Sequence, residues 1–366
     1  MIRVAQSRYL DDESADPPSD APRVTVIVPA RNESRNIAAC LGSILTSSYP
    51  HLEVIMVNDH STDDTGDIAR ALAAAVPRLT VIDNPDLPAG WFGKQWACQT
   101  GADSANGEIL VFMDADTRAA SDLITRSVNG MLRTRADFYS VLGHQEMVTF
   151  WERLVQMQVF TVLTTRFGGT EIVNNAKKAS AKIANGQYLM VRRSVYDECG
   201  GHGLVRGYVA EDLMLAQRYF ELGKRTVLVM GIEQLSTRMY TSLRELIGGW
   251  RKNLYAGGRH SMPLGERGGF LAPFLLPLPF LMQLAPPLVL AVALALRLPA
   301  LTLWAAVANG VTLASWIGYY RAARLPVLYA VLYPVGAAVT LYIALSATSR
   351  GSRVEWKGRE YESARS

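Results

Sequence analysis

Three apolar runs near the carboxyl end constrain this chain more than any other feature: Phe270 to Leu296, Leu298 to Tyr320 and Leu325 to Ala347. Each is long enough for the roughly 20 residues that an α-helix needs to cross a bilayer. No water is available there to satisfy backbone N–H and C=O groups, so the runs are expected to form an α-helical membrane domain over 261–349. Pro273, Pro277, Pro279, Pro286 and Pro287 fall in the first run, which therefore either kinks or folds back as a re-entrant hairpin. Flanking charge does not choose a topology. Three full spans put Arg321 and Arg324 inside and send Arg350, Arg353, Lys357 and Arg359 outside; if the first run does not cross, the tail lies inside. In both cases everything before Phe270 is expected on the cytoplasmic side of the inner membrane, with 350–366 a polar basic tail.

The formal charge of +4 carries no nucleic-acid footprint. Cys40, Cys98 and Cys199 lack metal-ligand spacing and read as ordinary residues of a reducing compartment. Residues 1–22 are polar and acidic, contain Pro17-Pro18 and have no apolar h-region, so a disordered leader is expected and not a signal peptide.

Between leader and membrane runs the pattern alternates. Arg23 to Pro29 is a β-branched strand, followed by the turn Ala30-Arg31-Asn32-Glu33 and a helix with Ile37, Leu41, Ile44 and Leu45 on one face. Glu53 to Val57 is a second strand, and Asn58 to Thr65 a polar turn opening a helix that is expected to be capped by Ser61 or Thr62. Leu79 to Ile82 is a third strand. Strand and helix at this spacing argue for βαβ units and a Rossmann-like sheet.

The apolar strand Ile109 to Met113 runs into Asp114-Ala115-Asp116. Ligand crevices of open α/β sheets lie outside the carboxyl ends of the strands, and two hard oxygen ligands there suit Mg²⁺ or Mn²⁺ holding a diphosphate. The same pattern also serves as an Asp-rich helix cap without metal. Upstream, Gly90-Trp91-Phe92-Gly93-Lys94 precedes a helix and fits a flexible loop over a phosphate-bearing ligand; its spacing is not that of a Walker A loop, and both Trp91 and Trp96 also suit plain packing. Downstream, Asp122 to Leu132 reads as helix and Phe138 to Leu142 as strand. Phe150 to Phe167 reads as a core or interfacial helix. Lys177, Lys178 and Lys182 are expected near anionic headgroups. Asn185 to Arg193 enters a strand, Cys199-Gly200-Gly201-His202 is a tight turn, Glu211-Asp212 heads an amphipathic helix, and Leu243 to Tyr255 is a further helix. Paired acids at a helix start are also simply favoured by its dipole.

Val28-Pro29-Ala30-Arg31-Asn32-Glu33, Val57-Asn58-Asp59, Asp114-Ala115-Asp116 and Glu211-Asp212 together, over about Arg23 to Tyr255, resemble the family 2 glycosyltransferases with the GT-A fold. Gly90 to Lys94 and Val354 to Arg359 resemble the narrower membrane branch associated with hopanoid and carotenoid glycosylation. The resemblance implies a GT-A nucleotide-diphospho-sugar transferase domain over 23–260, with interfacial helices, ahead of the membrane helices. It implies that Pro29, Glu33 and Asp59 line the nucleoside pocket, Asp59 accepting from uracil N3–H, which cytidine lacks. Lys94 and Asp114 would bind ribose and diphosphate, with Asp116 and Asp114 the metal-site acids. Asp212 would be the single base of an inverting transfer, and Glu211 its neighbour, raising its proton affinity. Relatives that carry Gln-x-x-Arg-Trp use the arginine on the diphosphate and the tryptophan on the acceptor; this chain has Gly248-Gly249-Trp250-Arg251-Lys252, with the same types in another order. On that basis Arg251 is a donor-site candidate and Trp250 an acceptor-site candidate; His202 is a further acceptor-site candidate.

The implied activity is transfer of one sugar from a nucleotide-sugar, a UDP-sugar by the Asp59 argument, to a membrane lipid or isoprenoid, with Mg²⁺ or Mn²⁺. The alternatives are a processive polysaccharide synthase coupled to translocation, for which three apolar runs are few, and a degenerate fold kept as a scaffold, against which the intact acids argue.

Overall fold

The computed structural model describes residues 5–261, 270–350, 353–356 and 359–362. In chain order the elements of the first half are β1 (Val24–Ala30), α1 (Ile37–Leu45), β2 (Leu52–Asn58), α2 (Thr65–Ala75), β3 (Leu79–Asp83), α3 (Gly93–Ser104), β4 (Ile109–Met113), β5 (Thr117–Ala119) and α4 (Leu123–Thr134). There follow β6 (Phe138–Leu142), β7 (His144–Gln145), a π-helical turn (Glu152–Gln156), α5 (Met157–Phe167), α6 (Thr170–Asn175), β8 (Tyr188–Arg192), α7 (Arg193–Cys199), α8 (Glu211–Glu221), β9 (Thr226–Met230) and β10 (Leu235–Thr237). The rest is helical, α9 (Leu243–His260), α10 (Ala272–Leu275), α11 (Leu278–Ala295), α12 (Pro299–Ala322) and α13 (Tyr333–Arg350), before the antiparallel pair β11 (Arg353–Trp356) and β12 (Arg359–Glu362).

These elements form two compact units. In the α/β unit, which runs through 146 and resumes over 169–239, seven strands lie in the order β3-β2-β1-β4-β8-β6-β9. The first four are mutually parallel, as the strand–helix alternation predicts. The other half departs from a parallel sheet: β8 runs antiparallel to both β4 and β6, while β9 returns parallel to β6. Helices cover both faces, so β1 reads as a continuous apolar run. Val24, Val26 and Val28 face the core shared with Ile37, Leu41 and Ile44 of α1; Ile27, on the other face, packs with Ala97 and Cys98 of α3 and Met214 of α8.

The stretch before Arg23 is not a disordered leader within the described residues. Tyr9 and Leu10 are fully buried, Met230 N donates to Arg8 O at 2.9 Å, and buried Glu13 is paired with Arg133 of α4. A polar segment docks here because two apolar side chains anchor it and the arginines of α4 satisfy its carbonyls and carboxylate.

The predicted boundaries of a single 23–260 domain also change. Residues 147–168 and 240–261 belong with the carboxyl-terminal helices in the second unit. Val155, Val159, Leu246 and Trp250 share one apolar cluster with Ile343 of α13, and Met157 shares another with Trp316, Tyr320 and Tyr333. Three helices of this unit, over Ala272–Ala295, Pro299–Ala322 and Val327–Ser349, are long and apolar enough to cross a membrane, with mean hydropathies of 1.9, 1.4 and 1.8. The proline-rich run breaks ahead of α11, at 276–277, while Pro286 and Pro287 lie inside the helix. Of the expected tail, the described residues form the antiparallel pair β11–β12, and the rest falls outside the described residues.

Candidate active site

Because β1, β2 and β4 are parallel, the loops that follow them emerge at one edge of the sheet, bringing Glu33, Asp59 and Asp114 to the same side. The loops after β1 and β2 are stitched together. Asn32 and His60 adopt positive φ of 53° and 54°, Asn32 N donates to Ser61 Oγ at 3.1 Å, and Thr62 N donates to Asn32 Oδ1 at 2.8 Å. Ser61 and Thr62 are thus engaged by the neighbouring loop and do not cap α2 as predicted. The helix starts at Thr65, whose N–H donates to Asp63 Oδ1 at 3.1 Å; hydrogen bonds from Thr65 and Ser34 hold the Asp63 carboxyl down at about 2 against the opposing effect of its burial. Glu33 is fixed by its own N–H donating to Thr65 Oγ1 at 2.7 Å and by Asn36 Nδ2 on its Oε2 at 2.9 Å.

Asp59 is 2% exposed. Its N–H donates to Ala30 O at 2.8 Å, Arg31 Nη1 donates to its carbonyl at 2.7 Å, and Asn84 Nδ2 donates to its Oδ1 at 3.0 Å. Pro29 lies opposite Val57 in the β1–β2 ladder, one strand from this carboxylate. Trp91 and Trp96 pack edge to face with centroids 5.1 Å apart, and Trp96 Nε1 donates to Pro85 O at 3.1 Å. Both indoles therefore brace the loop that delivers Lys94.

Lys94, in the first turn of α3, is the hub. Its Nζ lies 2.7 Å from Asp114 Oδ1 and 2.7 Å from Glu211 Oε1, tying β4 to the start of α8. Burial disfavours the ammonium, yet Asp114 and Glu211 outweigh it and hold Lys94 well above its ordinary range. The Asp114-Ala115-Asp116 turn is shaped by Thr117, whose Oγ1 donates to Asp114 O at 2.7 Å. Burial, and then the charges of Asp114 and Glu33, push the Asp116 carboxyl up to about 7. Its Oδ1 is buried without a hydrogen-bond partner. Asp212 is pushed up to about 6 by burial and by Glu211, although Gly186 N donates to its Oδ2 at 2.9 Å and Leu213 N to its Oδ1 at 2.8 Å.

Five carboxylates thus act on one another around a single ammonium, an excess of negative charge that fits a cation. Among the described residues no group of three or more His, Cys, Asp or Glu side chains could hold a metal unaided. Mg²⁺ and Mn²⁺ do not need one, since one or two carboxylates suffice when phosphates and waters complete the shell. The orphaned oxygen of Asp116 fits that demand.

Two of the predicted positions serve differently. His202 is 1% exposed; its Nδ1 is 2.8 Å from Tyr196 OH and its ring packs edge-on to Phe112, at 4.5 Å between centroids. Burial drives its pKa down to about 3, so it is a neutral core histidine and presents no edge to an acceptor. Lys182 is 3% exposed and caps α6, donating to Val173 O and Asn174 O at 3.0 and 2.8 Å, so it does not face headgroups. Trp250 and Arg251 lie on α9, in the second unit. Trp250 is 6% exposed and packs edge-on to Phe160 at 5.7 Å. The sequence reading missed Asn84 and the Gly186 amide. Asn84 directly follows a strand end, as Asp59 does, and that was the available signal; a backbone donor leaves none.

A mixed sheet with acids at the end of β4, a lysine at one helix start and paired acids at another has the architecture of the GT-A fold. A mannosyltransferase from Pyrobaculum calidifontis, solved with GDP-Man and Mn²⁺, shares that fold with a TM-score of 0.58 and 22% identity over 92% of this chain and 90% of its own. Residues 25–200 match the glycosyl transferase family 2 model. It is 26% identical over 243 residues to the 4,4'-diaponeurosporenoate glycosyltransferase of Staphylococcus haemolyticus and 28% identical over 244 residues to that of Staphylococcus aureus (strain USA300). Each match covers 66% of this chain and spans 63% of the length of the relative.

Proposed function

We propose that this chain is a glycosyltransferase that moves one sugar, with inversion, from a nucleotide-sugar, in our reading a UDP-sugar, with Asp59 favouring uridine over cytidine, to a membrane lipid or isoprenoid acceptor. The observation that carries the reading is the bridging of Asp114 and Glu211 by Lys94, at 2.7 Å to each, beside the unpartnered oxygen of Asp116. Relatives named 4,4'-diaponeurosporenoate glycosyltransferase, and three membrane-length helices in the same chain, support an apolar acceptor at a membrane; in this reading the membrane is the inner one and the α/β unit lies on its cytoplasmic side.

Asp59 accepts the N–H of the base, and Pro29 and Glu33 line the nucleoside side. Lys94 turns from its carboxylate partners toward the diphosphate, whose charge replaces theirs. Asp116, with Asp114, would hold Mg²⁺ or Mn²⁺, which supplies charge neutralisation on the departing diphosphate. Asp212 takes the proton of the acceptor hydroxyl as that oxygen bonds to the anomeric carbon and the bond to the diphosphate breaks. A carboxylate with a pKa of about 6 is ionised at neutral pH and still basic enough for that step. One base suffices, since no covalent sugar–enzyme intermediate is required.

Membranes containing the protein, incubated with labelled UDP-sugars and Mg²⁺ or Mn²⁺, are expected to yield a lipid carrying a single sugar. A ladder of products would favour the processive synthase, and no incorporation from any nucleotide-sugar would overturn the assignment.

A further inference from the structure

We propose that Asn84, locked by Thr100, reads the donor base together with Asp59, and that the pair selects bases presenting a ring N–H beside a carbonyl, as uracil and guanine do. The inference rests on the donor-site reading above and adds the device that sets its selectivity. Asn84 follows β3 directly and is 3% exposed. Its backbone N–H donates to Asn58 O at 2.9 Å, fixing it to the end of β2. Thr100 Oγ1, from α3, donates to Asn84 Oδ1 at 2.8 Å, which accounts for the amide oxygen. The amide nitrogen is thereby turned toward Asp59, where Nδ2 donates to Oδ1 at 3.0 Å. A hydroxyl can serve either way, but a carboxylate only accepts, so the Asp59 end fixes the direction of the whole relay.

The consequence is a fixed donor beside a fixed acceptor. The amide group has two N–H bonds, and Asp59 uses one; the second is positioned to meet a carbonyl adjacent to the group that Asp59 contacts. Uracil offers a carbonyl next to N3–H, and guanine offers a carbonyl next to N1–H, so both match. Adenine presents a ring nitrogen that only accepts, next to an amino group that only donates, and so mismatches both members; cytosine, whose acceptor N3 lies between an amino group and a carbonyl, mismatches Asp59 in either orientation and Asn84 on its amino side. Without Thr100 the amide keeps its nitrogen on Asp59 but loses the bond that holds its plane, so the second N–H is no longer fixed in direction.

The test is a binding panel of UDP, GDP, CDP and ADP with Mn²⁺, on the full chain in detergent micelles, comparing wild type with Asn84→Ala and Thr100→Val. Wild type is expected to bind UDP or GDP at least tenfold tighter than CDP and ADP, and the two matching arms identify the base used. Asn84→Ala is expected to reduce that ratio about tenfold, the loss of roughly one hydrogen bond, with a smaller loss for Thr100→Val. Folded variants that keep the wild-type ratio would overturn the role of Asn84 and leave the donor site standing. A wild-type protein that binds none of the four would overturn the donor-site reading and this inference with it.

Discussion

Transfer should have an acid limb set by Asp212, and the charges around that residue say which way each substitution will move it. Burial, and then Glu211, raise its carboxyl to about 6, while Lys94 and the amides of Gly186 and Leu213 pull it down. Only the ionised form accepts a proton, so activity is expected to be full above about pH 7. It should fall to about a tenth of the plateau at pH 5, one unit below the pKa. Glu211→Gln removes the like charge and should move the limb to lower pH. Lys94→Met removes the cation and should move it to higher pH, each unit corresponding to about 1.4 kcal/mol. Asp212→Asn should lower the plateau by roughly 10²–10⁴. The assay is the initial rate of labelled sugar transfer between pH 5 and 8 at saturating donor and metal, where a bound cation suppresses titration of Asp116. One limb position shared by wild type, Glu211→Gln and Lys94→Met would refute the assignment of the base.

Two further substitutions probe the supports of the site. A Cβ at Gly186 would lie 3.0 Å from Asp212 Oδ2, so Gly186→Ala should lower kcat with little change in donor KM; equal changes in both would mean the loop serves binding instead. Glu13→Ala removes the buried partner of Arg133 and should cost about 1–3 kcal/mol, read as a lower Tm in detergent with donor affinity unchanged; no shift in Tm would mean the amino-terminal segment adds nothing to the fold.

The parallel half of the sheet was legible because buried strands are apolar runs and their polar carboxyl ends mark the ligand edge. The same logic placed Asp114 and Asp116 at that edge in advance, while Glu33 and Asp59 were joined to them by the family resemblance. The antiparallel insertion of β8 between β4 and β6 was not legible, since pairing partners distant in sequence leave no local period. Nor did the helical pattern of residues 147–168 say which unit would receive its apolar face; Val155 and Val159 are decided by Leu246 and Ile343, far along the chain. His202 misled because a Gly-Gly-His turn fixes the backbone and not the direction of the ring. The ordered amino-terminal segment was hidden by its polarity, as Tyr9 and Leu10 are too few to make a pattern.

The central claim is that acids from separate strands and a helix build one cation-dependent donor site, with Asp116 on the cation and Asp212 on the acceptor proton. Calorimetric titration of UDP into the purified chain, with and without Mn²⁺, separates those roles. Wild type and Asp212→Asn should bind UDP only when Mn²⁺ is present, and Asp116→Ala should lose that dependence together with most of the affinity. Equal, metal-independent binding by all three proteins would contradict it.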